Sequence, residues 1–219
     1  MTRVAIFDCD GTLVDSGAAI ADALELTFAE RGIAMPEPHV ARRVIGLSLI
    51  EAMSALVPGA QPSDHHHLAE RYKIHFQGLR AAGRVKEPLY PGILELLDAL
   101  EGDGWLLAVA TGKSDRGLKH CLDRHGIHAR FVSLQTGDRH PSKPHPSMIE
   151  QVLRDSGAEA ARSLMIGDTS FDMAMGVAAG TLPVGVAWGY HEPEDLTDAG
   201  AVMVADEPDE ILTFARERN

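Results

Sequence analysis

The chain has 219 residues, 45% of them hydrophobic, and this length suits one large domain or a domain with an insertion. Its net charge of −12, from 32 acidic and 20 basic residues, argues against nucleic acid or an anionic membrane as a partner but is compatible with a small anionic substrate. The sequence has only two cysteines, no signal-peptide pattern and no apolar run of about 18 residues, so we predict a soluble, cytoplasmic protein.

The first predicted element is a short buried strand that ends in two aspartates. Residues 4–7 form a continuous apolar run, which is typical of a strand in a parallel sheet, and Asp8 and Asp10 follow it. Strand side chains alternate between faces, so these two carboxylates point the same way and Cys9 points the other way. Two desolvated carboxylates repel each other unless a cation lies between them or one takes a proton. The N-terminus therefore indicates a functional site.

The segment after this strand is predicted to contain helices and no strand. Helices are predicted over residues 17–31 and near 38–44, 48–56 and 64–82. Prolines mark the breaks between them. An all-helical insertion directly after the first strand indicates a cap over the ends of the strands. We therefore assign residues 16–87 to the cap, and residues 1–15 and 88–219 to the core.

From residue 91 onwards, strands alternate with helices. Apolar runs predict strands over 105–110, 131–134, 163–166, 183–187 and 202–205. Helical periodicity predicts helices over 93–100, 115–125, 146–156, 171–179 and 208–217. Apolar strands that alternate with helices are typical of a doubly wound, mostly parallel sheet with helices on both faces. The predicted fold is therefore an α/β core with an α-helical cap.

Polar residues follow four of the predicted strands, at the edge where ligands bind in an open α/β sheet. They are Asp8 with Asp10, Thr111 with Gly112, the loop that contains Lys143, and Asp168 with Asp172. Together they offer carboxylates, a hydroxyl, free backbone N–H groups and an ammonium. Carboxylate oxygens without a Cys/His cluster favour a hard cation, above all Mg²⁺.

These groups meet the needs of metal-assisted phosphoryl transfer. One carboxylate can act as the nucleophile and form an aspartyl phosphate, while a second donates a proton to the leaving oxygen and later takes one from water. Thr111, the Gly112 N–H and Lys143 can hold the phosphoryl oxygens. Lys113, although it follows Gly112 directly, is expected to be solvated.

Four short motifs occur in order along the chain. They are Asp8-x-Asp10-Gly-Thr-Leu-Val-Asp-Ser, Thr111-Gly112, Lys143-Pro144 and Gly167-Asp168-Thr169-x-x-Asp172. Together they resemble the motifs of the haloacid dehalogenase superfamily, in its phosphatase branch with a helical, C1-type cap. The resemblance extends over essentially the whole chain, and it implies a core of Rossmann-like topology and a phosphoric monoester hydrolase that requires Mg²⁺.

The resemblance also implies a role for each residue. Asp8 is expected to be the nucleophile and Asp10 the general acid/base. Mg²⁺ is expected to be held by Asp8, the Asp10 backbone carbonyl and Asp168. Asp172 is expected to be a supporting metal ligand or the partner of Lys143. Dehalogenases of the family lack an aspartate equivalent to Asp10, so its presence favours phosphate esters as substrates.

Within this branch the chain looks most like phosphoglycolate phosphatases. The similarity rests on Asp15-Ser16, on the segment Arg42–Ser48 and on Tyr90-Pro91-Gly92. A small phosphorylated carboxylic acid suits recognition by a guanidinium, so Arg42 and Arg43 are candidate substrate-binding residues. The alternative for this pair is a solvated helix face.

Other functions stay open at the level of the sequence. Relatives that act on sugar phosphates, nucleotides or pyrophosphate share most of these motifs, and a phosphomutase of the β-phosphoglucomutase type uses the same core. A non-enzymatic binding module is a further alternative, although Asp8, Asp10 and Lys143 are all present. Both a monomer and a homodimer are compatible with the sequence.

Overall fold

A six-stranded parallel sheet forms the centre of the molecule, in a computed structural model that describes residues 2–218. Its strands are β1 (Val4–Phe7), β2 (Leu106–Thr111), β3 (Phe131–Thr136), β4 (Leu164–Gly167), β5 (Leu182–Val186) and β6 (Met203–Ala205). Their order in space is β3-β2-β1-β4-β5-β6, and every neighbouring pair is parallel. β1 therefore lies in the interior of the sheet, which explains why all of its residues are apolar and buried.

Four helices follow β1 before the chain returns to the core. They are α1 (Gly17–Glu30), α2 (Pro38–Arg42), α3 (Leu49–Leu56) and α4 (Pro62–Ala81). We call residues 17–81 the helical insertion; no strand occurs within them. Buried side chains such as Phe28 and Met53 give the insertion a hydrophobic cluster of its own. The domain boundaries at residues 15/16 and 87/88 stay a prediction.

Six further helices cover the two faces of the sheet. They are α5 (Ile93–Gly102), α6 (Asp115–Arg124), α7 (Ser147–Ser156), α8 (Ser170–Ala178), α9 (Pro193–Asp198) and α10 (Pro208–Arg216). On β1, Ala5 and Phe7 pack in a cluster with α5 and α10, whereas Val4 and Ile6 pack in a cluster with α7. The predicted doubly wound α/β fold is therefore confirmed. The sequence analysis missed α9, because its six residues bury only Leu196 and show no helical periodicity.

The parallel arrangement brings the carboxyl ends of β1, β2 and β4 to one edge of the sheet. The helical insertion leaves the core at this edge, directly after β1, and the loops that follow β2 and β4 begin there as well. This edge is where the sequence predicts a site. Within residues 2–218, none of the helices is both long and apolar enough to cross a membrane.

Candidate active site

Two aspartates follow β1, and different neighbours hold them. The Asp8 backbone N–H donates to the Ile166 carbonyl at 2.9 Å, which continues the pairing of β1 with β4. The Asp8 side chain is buried in the core. The Asp10 carboxylate instead accepts a hydrogen bond from the Ser16 hydroxyl and lies 2.5 Å from Lys113 Nζ. The two carboxylates therefore belong to two separate sets of contacts.

Asp8 lies in a buried cluster with two carboxylates from the end of β4. One oxygen each of Asp8, Asp168 and Asp172 lies within 4.8 Å of the other two. Burial raises the pKa of Asp168 well above its usual range, and the charges of Asp8 and Asp172 raise it further. Asp8 Oδ2 is buried and has no hydrogen-bond partner among the described residues. Three carboxylates with an orphaned oxygen fit a hard divalent cation such as Mg²⁺.

Lys143 brings positive charge to the acidic cluster. Its buried ammonium lies 2.9 Å from Asp8 Oδ1 and 2.7 Å from Asp172 Oδ1. Burial on its own lowers the pKa of Lys143, but the two carboxylates outweigh burial and raise the pKa above its usual value. Burial raises the pKa of Asp8 to about 6, against the opposing effect of Lys143. One lysine cannot neutralise three carboxylates, so the cluster favours a further positive charge.

The start of α8 fixes the positions of Asp168 and Asp172. The Thr169 hydroxyl caps this helix and accepts a hydrogen bond from the Asp172 N–H, while the Asp172 carboxylate accepts one from the Thr169 N–H at 3.2 Å. Asp168 accepts hydrogen bonds from the Thr12 hydroxyl at 2.9 Å and from the Tyr190 N–H at 3.0 Å. Helix capping thus holds Asp172, whereas hydrogen bonds from residues outside α8 hold Asp168.

Thr111 and Gly112 end β2 at the same edge, and the helical insertion closes over them. Thr111 is buried. A Cβ atom at Gly112 would lie 2.4 Å from the Leu47 carbonyl oxygen, so only glycine permits this close approach of the two backbones. The Ser48 N–H also donates to the Ser142 hydroxyl at 2.8 Å, in the loop that carries the predicted lysine. The insertion and the core therefore meet directly over the carboxyl ends of the strands.

Lys113 is not solvated, contrary to the expectation from the sequence. Its side chain is 9% exposed and lies 2.5 Å from Asp10 Oδ1 and 3.0 Å from Glu87 Oε1. Glu87 in turn lies 2.8 Å from a guanidinium nitrogen of Arg80 on α4. Burial on its own lowers the pKa of Lys113, but Asp10 and Glu87 raise it well above the usual value. No spacing pattern connects Lys113 with Glu87, and sequence reasoning therefore missed this ion-pair chain.

Arg42 and Arg43 are not among the residues that line the cavity in front of Asp8, and their role in substrate binding stays a prediction. Both are exposed where α2 ends, and Arg43 forms an ion pair with Asp195 of α9 at 3.3 Å. They line a separate cavity of about 400 Å³ together with His191. This pair therefore meets the core at α9 and at His191.

The remaining predicted site residues come together at one end of the sheet. They are Asp8, Asp10, Thr111, Gly112, Lys143, Asp168 and Asp172. Sequence analysis missed the contacts of Lys113 and Glu87, and it also missed the hydrogen bond from the Ser16 hydroxyl to Asp10. Its place as the last residue of the first motif is the signal that points to Ser16.

A family model for haloacid dehalogenase-like hydrolases matches residues 5–186. The chain belongs to this family. Among the relatives of this hydrolase, the probable phosphatase IndB of Dickeya dadantii is 32% identical over 98% of this chain and 94% of its own length. A phosphoglycolate phosphatase of Rhodospirillum rubrum is 32% identical over 94% of this chain and 88% of its own length.

The fold of this haloacid dehalogenase-like hydrolase also has close counterparts among solved structures. The crystal structure of a predicted phosphatase from Clostridium acetobutylicum superposes on this chain with a TM-score of 0.88 and 22% sequence identity, and the match covers 99% of each chain. At this identity the likeness concerns the fold alone. The family resemblance drawn from the four motifs is confirmed. Three motifs of this hydrolase lie at the carboxyl ends of β1, β2 and β4, and the remaining motif lies in the loop before α7.

Proposed function

We propose that this hydrolase is a Mg²⁺-dependent phosphatase that cleaves a small soluble phosphomonoester through an aspartyl phosphate on Asp8. The arrangement after β1 gives the strongest support. Asp8 belongs to the acidic cluster and lies 2.9 Å from the Lys143 ammonium, whereas Asp10 is held outside that cluster by Ser16 and Lys113. One carboxylate is thus suited to attack phosphorus and the other to move protons.

The reaction proceeds in two steps. In the first, an Asp8 oxygen attacks phosphorus, the bond between phosphorus and the ester oxygen breaks, and Asp10 donates a proton to that oxygen. In the second, water attacks the phosphorus of the aspartyl phosphate, Asp10 takes its proton, and the Asp8 carboxylate is released together with inorganic phosphate. Thr111, the Gly112 N–H and Lys143 hold the phosphoryl oxygens during both steps.

Asp8, Asp168 and Asp172, with the Asp10 backbone carbonyl, are the proposed ligands of Mg²⁺. The bound ion supplies positive charge that stabilises the phosphoryl oxygens. Support for this assignment comes from the excess of negative charge in the cluster and from the orphaned Asp8 Oδ2. A cytoplasmic location is also part of the proposal.

The test is phosphate release from a panel of esters, with and without Mg²⁺. Because one relative is a phosphoglycolate phosphatase, the panel begins with 2-phosphoglycolate and continues with sugar phosphates, nucleotides and pyrophosphate. Mg²⁺-dependent release of phosphate supports the proposal. An isomerised sugar phosphate in place of free phosphate would indicate a phosphomutase, and the absence of any turnover would favour a binding module.

A further inference from the structure

A cavity of about 590 Å³ opens from the acidic cluster into the helical insertion. Asp8, Asp10, Thr111 and Gly112 line its inner end. The opposite wall is largely apolar and comes from α1, α3, α4 and the loop before α3. Its partly exposed apolar side chains include Ile20, Val44, Leu47, Leu56, Tyr72 and Phe76. The volume lies within the range of about 300–1,000 Å³ that is usual for ligand pockets.

The cations that the insertion contributes to this lining already have acidic partners. Arg80 lies 2.8 Å from Glu87, and Lys73 lies 2.9 Å from an acidic neighbour on α4. The other basic residues of the lining belong to the core, among them the exposed Arg116 and His120 of α6. The wall that the insertion builds therefore offers apolar surface rather than a free guanidinium for a carboxylate.

The geometry of phosphoryl transfer decides which part of a substrate meets this wall. The attacking and leaving oxygens lie roughly in line through phosphorus, so the leaving group extends away from Asp8. Asp8 lies at the inner end of the cavity, and the space in front of it leads toward α1 and α4. The leaving group thus contacts the apolar wall.

We infer that the leaving group of the natural substrate is an alcohol with an apolar body, longer than the two-carbon acid of 2-phosphoglycolate. This inference rests on the proposed phosphatase function of the same site. Burial of apolar surface supplies the binding free energy, since each methylene removed from water favours binding about fourfold. A short, charged alcohol leaves most of the apolar wall in contact with water.

The experiment measures kcat/KM for ethyl, butyl, hexyl and octyl phosphate, with 2-phosphoglycolate for comparison. The leaving alcohols of the alkyl series have similar acidity, so differences between them report binding in the cavity. We expect kcat/KM to rise by up to about fifteenfold for each added pair of methylenes until the cavity is filled. We also expect hexyl phosphate to exceed 2-phosphoglycolate.

A matched pair of variants on α1 locates the effect. Ile20 lines the cavity, whereas Leu26 on the same helix is 40% exposed and lies outside the lining. Ile20→Gln should weaken the dependence of kcat/KM on the length of the alkyl group, and Leu26→Gln should preserve this dependence. Because the slope is read relative to ethyl phosphate in each protein, a general loss of active enzyme does not imitate a loss of selectivity.

The outcomes separate this inference from the function on which it rests. Phosphate release with equal or falling kcat/KM along the series, and with 2-phosphoglycolate preferred, overturns the inference and leaves the phosphatase function intact. No phosphate from any ester in the presence of Mg²⁺ overturns both. A rising series that Ile20→Gln leaves unchanged contradicts the assignment of the apolar wall.

Discussion

Asp8 provides the most direct test of the chemistry at the scale of a single residue. An amide cannot form the aspartyl phosphate, so Asp8→Asn should lower kcat at least about 1,000-fold in phosphate-release assays. The replacement is nearly isosteric, and Lys143 retains its contact with Asp172, so the circular dichroism spectrum should not change. Asp15→Asn, the same exchange at an exposed aspartate, is the control. Substantial turnover by pure Asp8→Asn protein would rule out Asp8 as the nucleophile.

Lys113 tests whether the position of Asp10 matters as much as its presence. Its ammonium holds the Asp10 carboxylate at 2.5 Å, so Lys113→Met should leave this carboxylate free to move away from the leaving oxygen. We expect kcat to fall about 10- to 100-fold while KM changes little, because misplacement of a reacting group affects the transition state most. Steady-state kinetics with the best substrate measure both constants.

The control for this substitution lies on α6, where Lys119 forms an exposed pair with Asp123. Lys119→Met removes the same charge at a distance from the site and should retain full kcat. A Lys113→Met enzyme with unchanged kcat would show that Ser16 alone suffices to hold Asp10. A parallel loss of folded protein, detected by thermal unfolding, would instead indicate a structural role.

At the scale of the elements, the sequence predicted the strands and the motifs because both depend on local patterns. Apolar runs mark buried parallel strands, and the carboxyl ends of such strands must meet at one edge. The sequence alone therefore predicts that Asp8 and Asp168 lie close together. The contact between Lys113 and Glu87 depends instead on how the segment after α4 returns to the core. Likewise, the ion pair of Arg43 with Asp195 depends on α9, a helix too short to be predicted from its sequence.

Glu87 joins two elements, and its charge should make their contact dependent on pH. Burial on its own raises the pKa of Glu87, but Lys113 and Arg80 outweigh burial and hold it below its usual value. A carboxyl with a lowered folded-state pKa stabilises the fold above its unfolded pKa of 4.5 and loses this contribution as pH falls through the folded-state value. Glu87→Gln should therefore destabilise the protein most near neutral pH.

Urea unfolding of both proteins at a series of pH values measures this effect. At pH 7 we expect a difference in the free energy of unfolding of up to about 3 kcal/mol, since two cations lose a buried partner. The difference should shrink as pH falls below the unfolded pKa of 4.5. Glu95→Gln at an exposed position on α5 is the control and should show no such trend. A difference independent of pH would mean that the Glu87 charge does not stabilise this contact.

For the whole molecule, a metal-binding role of the acidic cluster should appear as ligand-linked stability. A ligand that binds only the folded state at about one hundred times its Kd adds about 2.7 kcal/mol to the free energy of unfolding. For a chain of this size, such a gain raises Tm by about 5–10 °C. We therefore expect saturating Mg²⁺ to raise Tm by this amount over EDTA-treated protein. Asp168→Asn should abolish most of the rise, because it removes one of the three carboxylates.

The overall charge of −12 makes a salt control necessary, since any electrolyte screens repulsion across an acidic surface. Sodium chloride at the ionic strength of the Mg²⁺ solution reports this general effect, and Asp198→Asn reports the loss of an exposed carboxylate outside the cluster. Site binding requires that Mg²⁺ exceed the sodium salt in the wild-type and Asp198→Asn proteins and match it in Asp168→Asn. Equal increases in Tm from both salts in every protein would show that the effect is charge screening and would contradict a magnesium site at the end of β1.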